Sequence, residues 1–131
     1  MDTEEKKARK IVLVEDDSLM SGILATHLIG EGFTVVPVTD GMQAFERVQA
    51  EHPDIVLLDI VLPGVSGFDI LQKLKQEEST KSIPVLILSN LGSDEEIKRG
   101  TDLGAKGYLV KANSMVDEIT EKVQEILGQP A

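Results

Sequence analysis

The chain of 131 residues contains no cysteine, which excludes disulfides, thiolate zinc sites and cysteine nucleophiles. It also lacks any apolar run approaching the length of a membrane-spanning helix. The first ten residues are charged rather than apolar, so they do not form a signal peptide. We therefore expect a soluble, cytoplasmic protein that does not associate with a membrane.

Basic residues are scarce relative to acidic ones, at 13 against 23, for a formal net charge of −10. This balance is unsuited to gripping a nucleic-acid backbone, so we expect no direct nucleic-acid binding. The basic stretch Lys6–Lys10 follows Glu4 and Glu5 and is typical of a solvated tail. The length corresponds to one domain. We predict a charged tail at 1–8, one folded unit over 9–128 and a short tail at 129–131.

Five short apolar runs divide the sequence, and most are continuous rather than alternating. They are Ile11–Val14, Val35–Val38, Ile55–Leu58, Val85–Leu88 and Tyr108–Val110. Continuous apolar strands are typical of parallel sheets covered by helices on both faces. Helical patterns separate the runs. The order is therefore (βα)₅, which predicts a doubly wound three-layer α/β sandwich.

The helix signals are specific enough to be tested individually. In the first helix, Leu19, Ile23, Leu24 and Leu28 are expected on the buried face. Ser93 and Glu96 have the spacing of a capping box for the fourth helix, which carries few apolar anchors. Ser114 is expected to cap the fifth helix.

Chemically reactive side chains follow four of the strands. Glu15–Asp17 follow the first, Asp59 the third, Ser89 ends the fourth and Lys111 follows the fifth. The carboxyl ends of parallel strands share one edge of a sheet, so these groups should meet there. Clustered carboxylates repel one another, and a hard cation such as Mg²⁺ relieves that repulsion. An aspartate can act as a phosphoryl acceptor, while the lysine neutralises the charge of the incoming group and the serine hydroxyl hydrogen-bonds one of its oxygens.

Four segments carrying these residues, VLVEDDSLM, IVLLDIVLPGVSGFDIL, VLILSN and GYLVKA, are similar to the receiver domain of bacterial response regulators. The resemblance covers residues 9–128 and implies a flavodoxin-like parallel sheet of strand order 2-1-3-4-5. It implies that Asp59 is the phosphoacceptor, assisted by Ser89 and Lys111. It also implies that Ser89 and the aromatic Tyr108 form a switch.

The same resemblance implies Mg²⁺ as the cofactor. The implied ligands are Glu15, Asp16, Asp59 and the backbone carbonyl of Val61. The sequence departs from the family at Ala112, where the family usually has proline after the lysine. This departure concerns the path of the loop rather than the presence of the lysine.

The resemblance further implies a phosphorelay role rather than that of a classical enzyme. The donor would be a sensor histidine kinase or a histidine phosphotransfer protein. The domain would assist its own phosphorylation and dephosphorylation. The output would be an effector protein or a fused output domain that reads the face of the fourth helix, fifth strand and fifth helix.

Three other functions are weighed against this one. A dehalogenase-like phosphatase usually has a second Asp two residues after its nucleophile, where this chain has Val61. An FMN carrier needs a phosphate-binding loop after the first strand, where Glu15–Asp17 would repel the phosphate. A degenerate receiver that only binds proteins would lack part of the acceptor set, and no part is missing here.

Overall fold

The computed structural model describes residues 8–128, in which five strands of one sheet alternate with five α-helices. The strands are β1 (Lys10–Val14), β2 (Thr34–Val38), β3 (Ile55–Leu58), β4 (Val85–Ser89) and β5 (Gly107–Val110). The helices are α1 (Ser18–Gly30), α2 (Ala44–Glu51), α3 (Gly67–Gln76), α4 (Asp94–Asp102) and α5 (Val116–Leu127). Short 3₁₀ turns at Gly41–Gln43 and Lys111–Asn113 precede α2 and α5.

The sheet has the order β2-β1-β3-β4-β5, and every pairing in it is parallel. This confirms the expected doubly wound α/β fold and strand order. The register aligns Val14 with Leu58 across β1 and β3 and Ser89 with Val110 across β4 and β5. The carboxyl ends of these four strands therefore meet at one edge, as expected for the candidate site.

Two apolar clusters lie on opposite faces of the sheet because successive strand residues point to opposite sides. Val12 and Val56 belong to the cluster that packs against α2 and α3. Ile11 and Ile55 belong to the cluster that packs against α1 and α5. All four residues of β3 are buried, as a strand covered on both faces requires. The arrangement is the predicted three-layer sandwich.

The buried face of α1 differs from the prediction. Leu24 and Leu28 are buried, but Leu19 and Ile23 are 73% and 48% exposed. The helix turns Ser21, Leu24 and Leu28 towards the sheet, at the i, i+3, i+7 spacing of one helical face. Leu19 and Ile23 lie outside that phase, so the prediction for these two residues was wrong.

The caps of the later helices agree with the prediction in one case and not in another. Ser93 and Glu96 form the expected capping box, in which each side chain accepts the other residue's backbone N–H, at 3.2 and 3.1 Å. Ser114 does not cap α5. The N-cap is Met115, whose N–H donates to the Glu118 carboxylate at 2.8 Å.

The domain boundaries stay a prediction. Most of the expected tails, residues 1–7 and 129–131, lies outside the described residues. Within residues 8–128, no helix has both the length and the apolar character needed to cross a membrane.

Candidate functional site

Two buried carboxylates lie side by side where β1 and β3 end. Glu15 follows β1 and Asp59 follows β3, with 2% and 6% of their surfaces exposed. The Asp59 N–H donates to the Val14 carbonyl at 3.1 Å, which extends the pairing of the two strands by one residue. Each carboxylate directly follows a continuous apolar strand, so both lie at the carboxyl edge of the sheet and are buried beneath the protein surface.

Lys111 joins the two carboxylates. Its ammonium donates to Asp59 Oδ2 at 2.9 Å and also to Glu15 Oε1. Backbone N–H groups complete the carboxylates: that of Asp17 donates to Glu15 at 3.1 Å, and that of Val61 to Asp59 at 3.3 Å. A buried group can stay charged when it has an ionic partner and hydrogen bonds, and both carboxylates meet this condition.

The electrostatics of the pair reflect burial as well as charge. Burial raises the pKa of the Glu15 carboxyl, with the Asp59 charge acting in the same direction, and these effects outweigh the hydrogen bond from Lys111. Burial opposes the charged form of Lys111, but Glu15 and Asp59 outweigh it, so the pKa of the ammonium is raised. One ammonium is paired with two carboxylates, so the ionised site carries one negative charge more than it has positive charges.

The excess is larger because Asp16 adds a third carboxylate, which is solvent-exposed. One oxygen each from Glu15, Asp16 and Asp59 lies within 4.8 Å of the others, and no other such cluster occurs among residues 8–128. Carboxylate oxygens gathered in this way are the donor set that Mg²⁺ prefers. The acidic group therefore fits a hard divalent cation and is typical of a receiver Mg²⁺ site.

Ser89 and Tyr108 are linked through the main chain of a third residue. Ser89 is fully buried, and its hydroxyl accepts the Leu91 N–H at 3.2 Å. The Tyr108 hydroxyl donates to the Leu91 carbonyl. Burial raises the pKa of Tyr108, and the nearby Glu96 charge adds to this effect. The main chain of Leu91 thus connects the two side chains that the sequence predicted to form a switch.

Comparison with known proteins identifies the family to which this geometry belongs. The family model "Response regulator receiver domain" matches residues 11–124. The chain belongs to the response regulator receiver family. It is 37% identical over 118 residues to the phosphate regulon transcriptional regulatory protein PhoB of Rhizobium meliloti, a match that covers 90% of this chain and 52% of that protein. It is 34% identical to the DNA-binding dual master transcriptional regulator RpaA of Synechocystis, over 90% of this chain and 48% of that protein.

Solved structures agree with this assignment. The BeF3-activated N-terminal receiver domain of Klebsiella pneumoniae RstA superimposes with a TM-score of 0.84 at 32% identity, covering 92% of this chain and 99% of that one. The non-phosphorylated HemR receiver domain of Leptospira biflexa gives a TM-score of 0.86 at 26% identity, covering 94% of this chain and 97% of that one.

Family membership makes this chain a receiver domain of two-component signalling, a signalling phosphoacceptor rather than a classical enzyme. Neither the phosphatase nor the FMN-carrier alternative agrees with it. The receiver domain spans about half the length of the transcriptional regulators named above.

The structure also brings residues to the site that sequence reasoning missed. The main chain of Leu91 was not predicted as the link between Ser89 and Tyr108. Gly67, the first residue of α3, packs directly against the backbone of Asp59. The available signal was a glycine that directly follows the capping Ser66. No cis peptide bond occurs among residues 8–128, so the bond between Lys111 and Ala112 is trans.

Proposed function

We propose that Asp59 is the phosphoacceptor of this receiver domain and that a partner's phosphohistidine is the donor. The observation that carries the proposal is the hydrogen bonding of the Asp59 carboxylate. The Lys111 ammonium holds one of its oxygens and the Val61 N–H holds the other. The carboxylate is therefore oriented at the end of its strand, with a cation beside it to receive the charge of an incoming phosphoryl group.

The transfer is a displacement at phosphorus. An Asp59 carboxylate oxygen attacks, the O–P bond of an acyl phosphate forms, and the P–N bond to the donor imidazole breaks. The electron pair of that bond stays on the imidazole nitrogen, and because the other ring nitrogen of the phosphohistidine carries a proton, histidine leaves as neutral imidazole. Lys111 neutralises a phosphoryl oxygen that develops charge, and the Ser89 hydroxyl is a donor for another.

We further propose that Glu15, Asp16, Asp59 and the Val61 backbone carbonyl would hold Mg²⁺. When bound, Mg²⁺ supplies positive charge that offsets the repulsion between carboxylates and phosphoryl oxygens. The support is the gathering of three carboxylates within 4.8 Å. The single positive charge of Lys111, which pairs with Glu15 and Asp59, cannot neutralise three carboxylates.

A direct test uses a small acyl phosphate as donor, because no partner then needs to be known. We expect intact-mass spectrometry to detect one added phosphoryl group in the presence of Mg²⁺ and none when a chelator replaces the metal. Unchanged mass in both conditions would contradict the proposed function. Equal labelling in both conditions would contradict the metal requirement.

The ligand role of Asp16 gives a first prediction. Asp16→Asn should weaken Mg²⁺ binding by about tenfold or more, since roughly 1.4 kcal/mol of ligand interaction corresponds to that factor. It should also raise stability in metal-free buffer, because one of three repelling carboxylates is removed. Calorimetric titration with Mg²⁺ and urea unfolding measure the two effects.

Asp17→Asn is the matched control. It removes the same charge one residue away, and Asn can still cap α1 as Asp17 does. We expect near wild-type Mg²⁺ affinity in this variant. An equal loss of affinity in both variants would assign the effect to net charge rather than to a ligand.

We propose that the phosphoryl group is read through Ser89 and Tyr108. A phosphoryl group on Asp59 adds charge and acceptor oxygens, and one of these oxygens can accept the Ser89 O–H and draw that hydroxyl towards itself. Its withdrawal from the Leu91 N–H would loosen the loop that also accepts the Tyr108 hydroxyl. The face formed by α4, β5 and α5 is then the surface an effector or fused output domain reads. Activation shifts in NMR spectra confined to the opposite face would contradict this.

The lifetime of the signal gives a second prediction. Val61 and Leu91 line one groove beside the site, and Val61 is 58% exposed. Neither side chain can hydrogen-bond the water that hydrolyses an acyl phosphate. Val61→Asn with Leu91→Glu should therefore speed dephosphorylation by roughly tenfold, about 1.4 kcal/mol of barrier, by orienting that water.

Phosphate release is timed after removal of the donor, at constant Mg²⁺. The control, Val61→Ala with Leu91→Ala, removes apolar bulk without adding a polar group. If this control matches the polar variant, bulk alone limits hydrolysis. If neither differs from wild type, these side chains do not govern access of water.

A further inference from the structure

Helix α4 packs on the rest of the domain with few buried side chains. Its single buried residue among Asp94–Asp102 is a glycine, Gly100. Ile97 and Leu103, the large apolar side chains in and just after the helix, are only half-buried. Glycine is among the poorest helix formers, so an internal glycine on the buried face of a helix calls for a steric reason.

The reason is the close approach of two side chains from the sheet. A Cβ atom at Gly100 would lie 2.6 Å from Cδ1 of Ile87 on β4. It would lie 3.1 and 3.4 Å from Cδ2 and Cε2 of the Tyr108 ring on β5. Ile87 has no exposed surface, so its methyl group has little space into which to move. A side chain at residue 100 would therefore displace α4 or the tyrosine ring.

The loop before α4 meets β5 in the same manner. A Cβ atom at Gly92 would lie 2.9 and 3.2 Å from the two methyl groups of Val110, the residue before Lys111. Both the loop and the helix after β4 thus pack closely on β5 at a glycine, Gly92 in the loop and Gly100 in the helix. Leu91, the residue before Gly92, accepts the Tyr108 hydroxyl at its carbonyl and donates its N–H to the Ser89 hydroxyl.

We propose that Gly100 is a positioning residue for the switch, because its missing side chain lets α4 close on the Tyr108 ring and holds the Tyr108 hydroxyl on Leu91. The signalling role of this contact rests on the proposed function, in which Ser89 and Tyr108 transmit phosphorylation. The steric contact itself is independent of that proposal, since it occurs in the unphosphorylated protein. A methyl group at residue 100 is expected to open the resting arrangement without any phosphoryl group.

The composition of the chain provides the readout. Tyr108 is the only tyrosine and there is no tryptophan, so ultraviolet absorbance and fluorescence report on this side chain alone. Burial is the main cause of its raised pKa. In Gly100→Ala we expect the tyrosinate titration midpoint to move down towards that of free tyrosine, about 10, as the ring is pushed into solvent. Far-UV circular dichroism at each pH verifies that the protein remains folded.

Gly22→Ala is the matched control. Gly22 also lies inside a helix, α1, but a Cβ atom there would meet nothing within 4 Å. This variant should leave the Tyr108 midpoint unchanged. The double variant Gly100→Ala with Ile87→Val removes the nearest obstructing atom, Cδ1, so its midpoint should return towards the wild-type value.

A folded Gly100→Ala protein with the wild-type midpoint would overturn the proposal. If Gly100→Ala does not fold, the double variant decides: recovery of folding supports the steric contact, and failure to fold overturns it. Phosphoryl labelling of the wild-type protein is measured in parallel. Absence of labelling would contradict the proposed function, but the conclusion about Gly100 from the Tyr108 titration midpoints would still hold.

Discussion

Asp59→Asn should leave the protein folded and abolish its phosphoryl labelling. Asparagine keeps the shape of the side chain, but its amide is not a nucleophile towards phosphorus. Lys111 retains Glu15 as an ionic partner in this variant, and the buried site loses one of its negative charges. The expected loss is complete rather than partial, because Asp59 is the carboxylate that accepts hydrogen bonds from both the Lys111 ammonium and the Val61 N–H.

The measurement is intact mass after incubation with a small acyl phosphate and Mg²⁺. Asp69→Asn is a suitable control, because Asp69 is an exposed carboxylate on α3 and lies outside the carboxylate cluster. It should label as the wild type does. Labelling of Asp59→Asn at the wild-type level would place the acceptor on another residue, and peptide mapping would then identify it.

Most of the site could be predicted from the sequence because parallel strands bring distant residues together in a regular way. Glu15, Asp59 and Lys111 are far apart in the chain, yet each directly follows an apolar run. Once those runs are interpreted as strands of one parallel sheet, the side chains after them lie at the same edge of that sheet. The order of the strands came from resemblance to the receiver family, since apolar periodicity alone does not specify which strands are neighbours.

The errors have a common physical origin in tertiary packing. An apolar residue in α1 can satisfy the helical pattern and still fall outside the narrow stripe that the sheet covers, as Leu19 and Ile23 do. Ser114 has a good capping side chain, but the chain enters α5 one residue later, where Glu118 accepts the Met115 N–H instead. In both cases the sequence has a genuine local preference, but tertiary packing determines which residue is buried or forms the cap.

Close approaches of backbone are the features least visible in a sequence. A glycine in a chain is compatible with a turn, a helix end or a contact, and only the structure distinguishes them. Gly32 and Gly64 have positive φ angles of 101° and 79°, as turns require. Gly67 and Gly100 have no such angle, and what they provide is space for a neighbour.

Gly67→Ala should cause the largest loss of stability among the glycine substitutions in this receiver domain. A Cβ atom at residue 67 would lie 2.2 Å from the Asp59 carbonyl oxygen and 2.6 Å from Cα of Ile60. Both obstacles are backbone atoms, and they belong to the segment that carries the Asp59 carboxylate. The Gly67 N–H also donates to the Ile60 carbonyl at 2.8 Å, so α3 cannot retreat without losing this bond. We expect a destabilisation of about 3 kcal/mol, at the upper end for overpacking.

Urea unfolding of a graded series tests the steric explanation. Gly22→Ala meets nothing within 4 Å and should stabilise by roughly 0.5–1 kcal/mol, because alanine is the better helix former. At Gly41 the Cβ atom would lie 2.9 Å from the side-chain ends of Leu62 and Val65, which can rotate, so a smaller loss than at Gly67 is expected. The Gly67 variant should also label more slowly than wild type, because the displaced Asp59 backbone carries its carboxylate away from Lys111. If Gly67→Ala is as stable as Gly41→Ala, the close approach of α3 to Asp59 does not constrain the site.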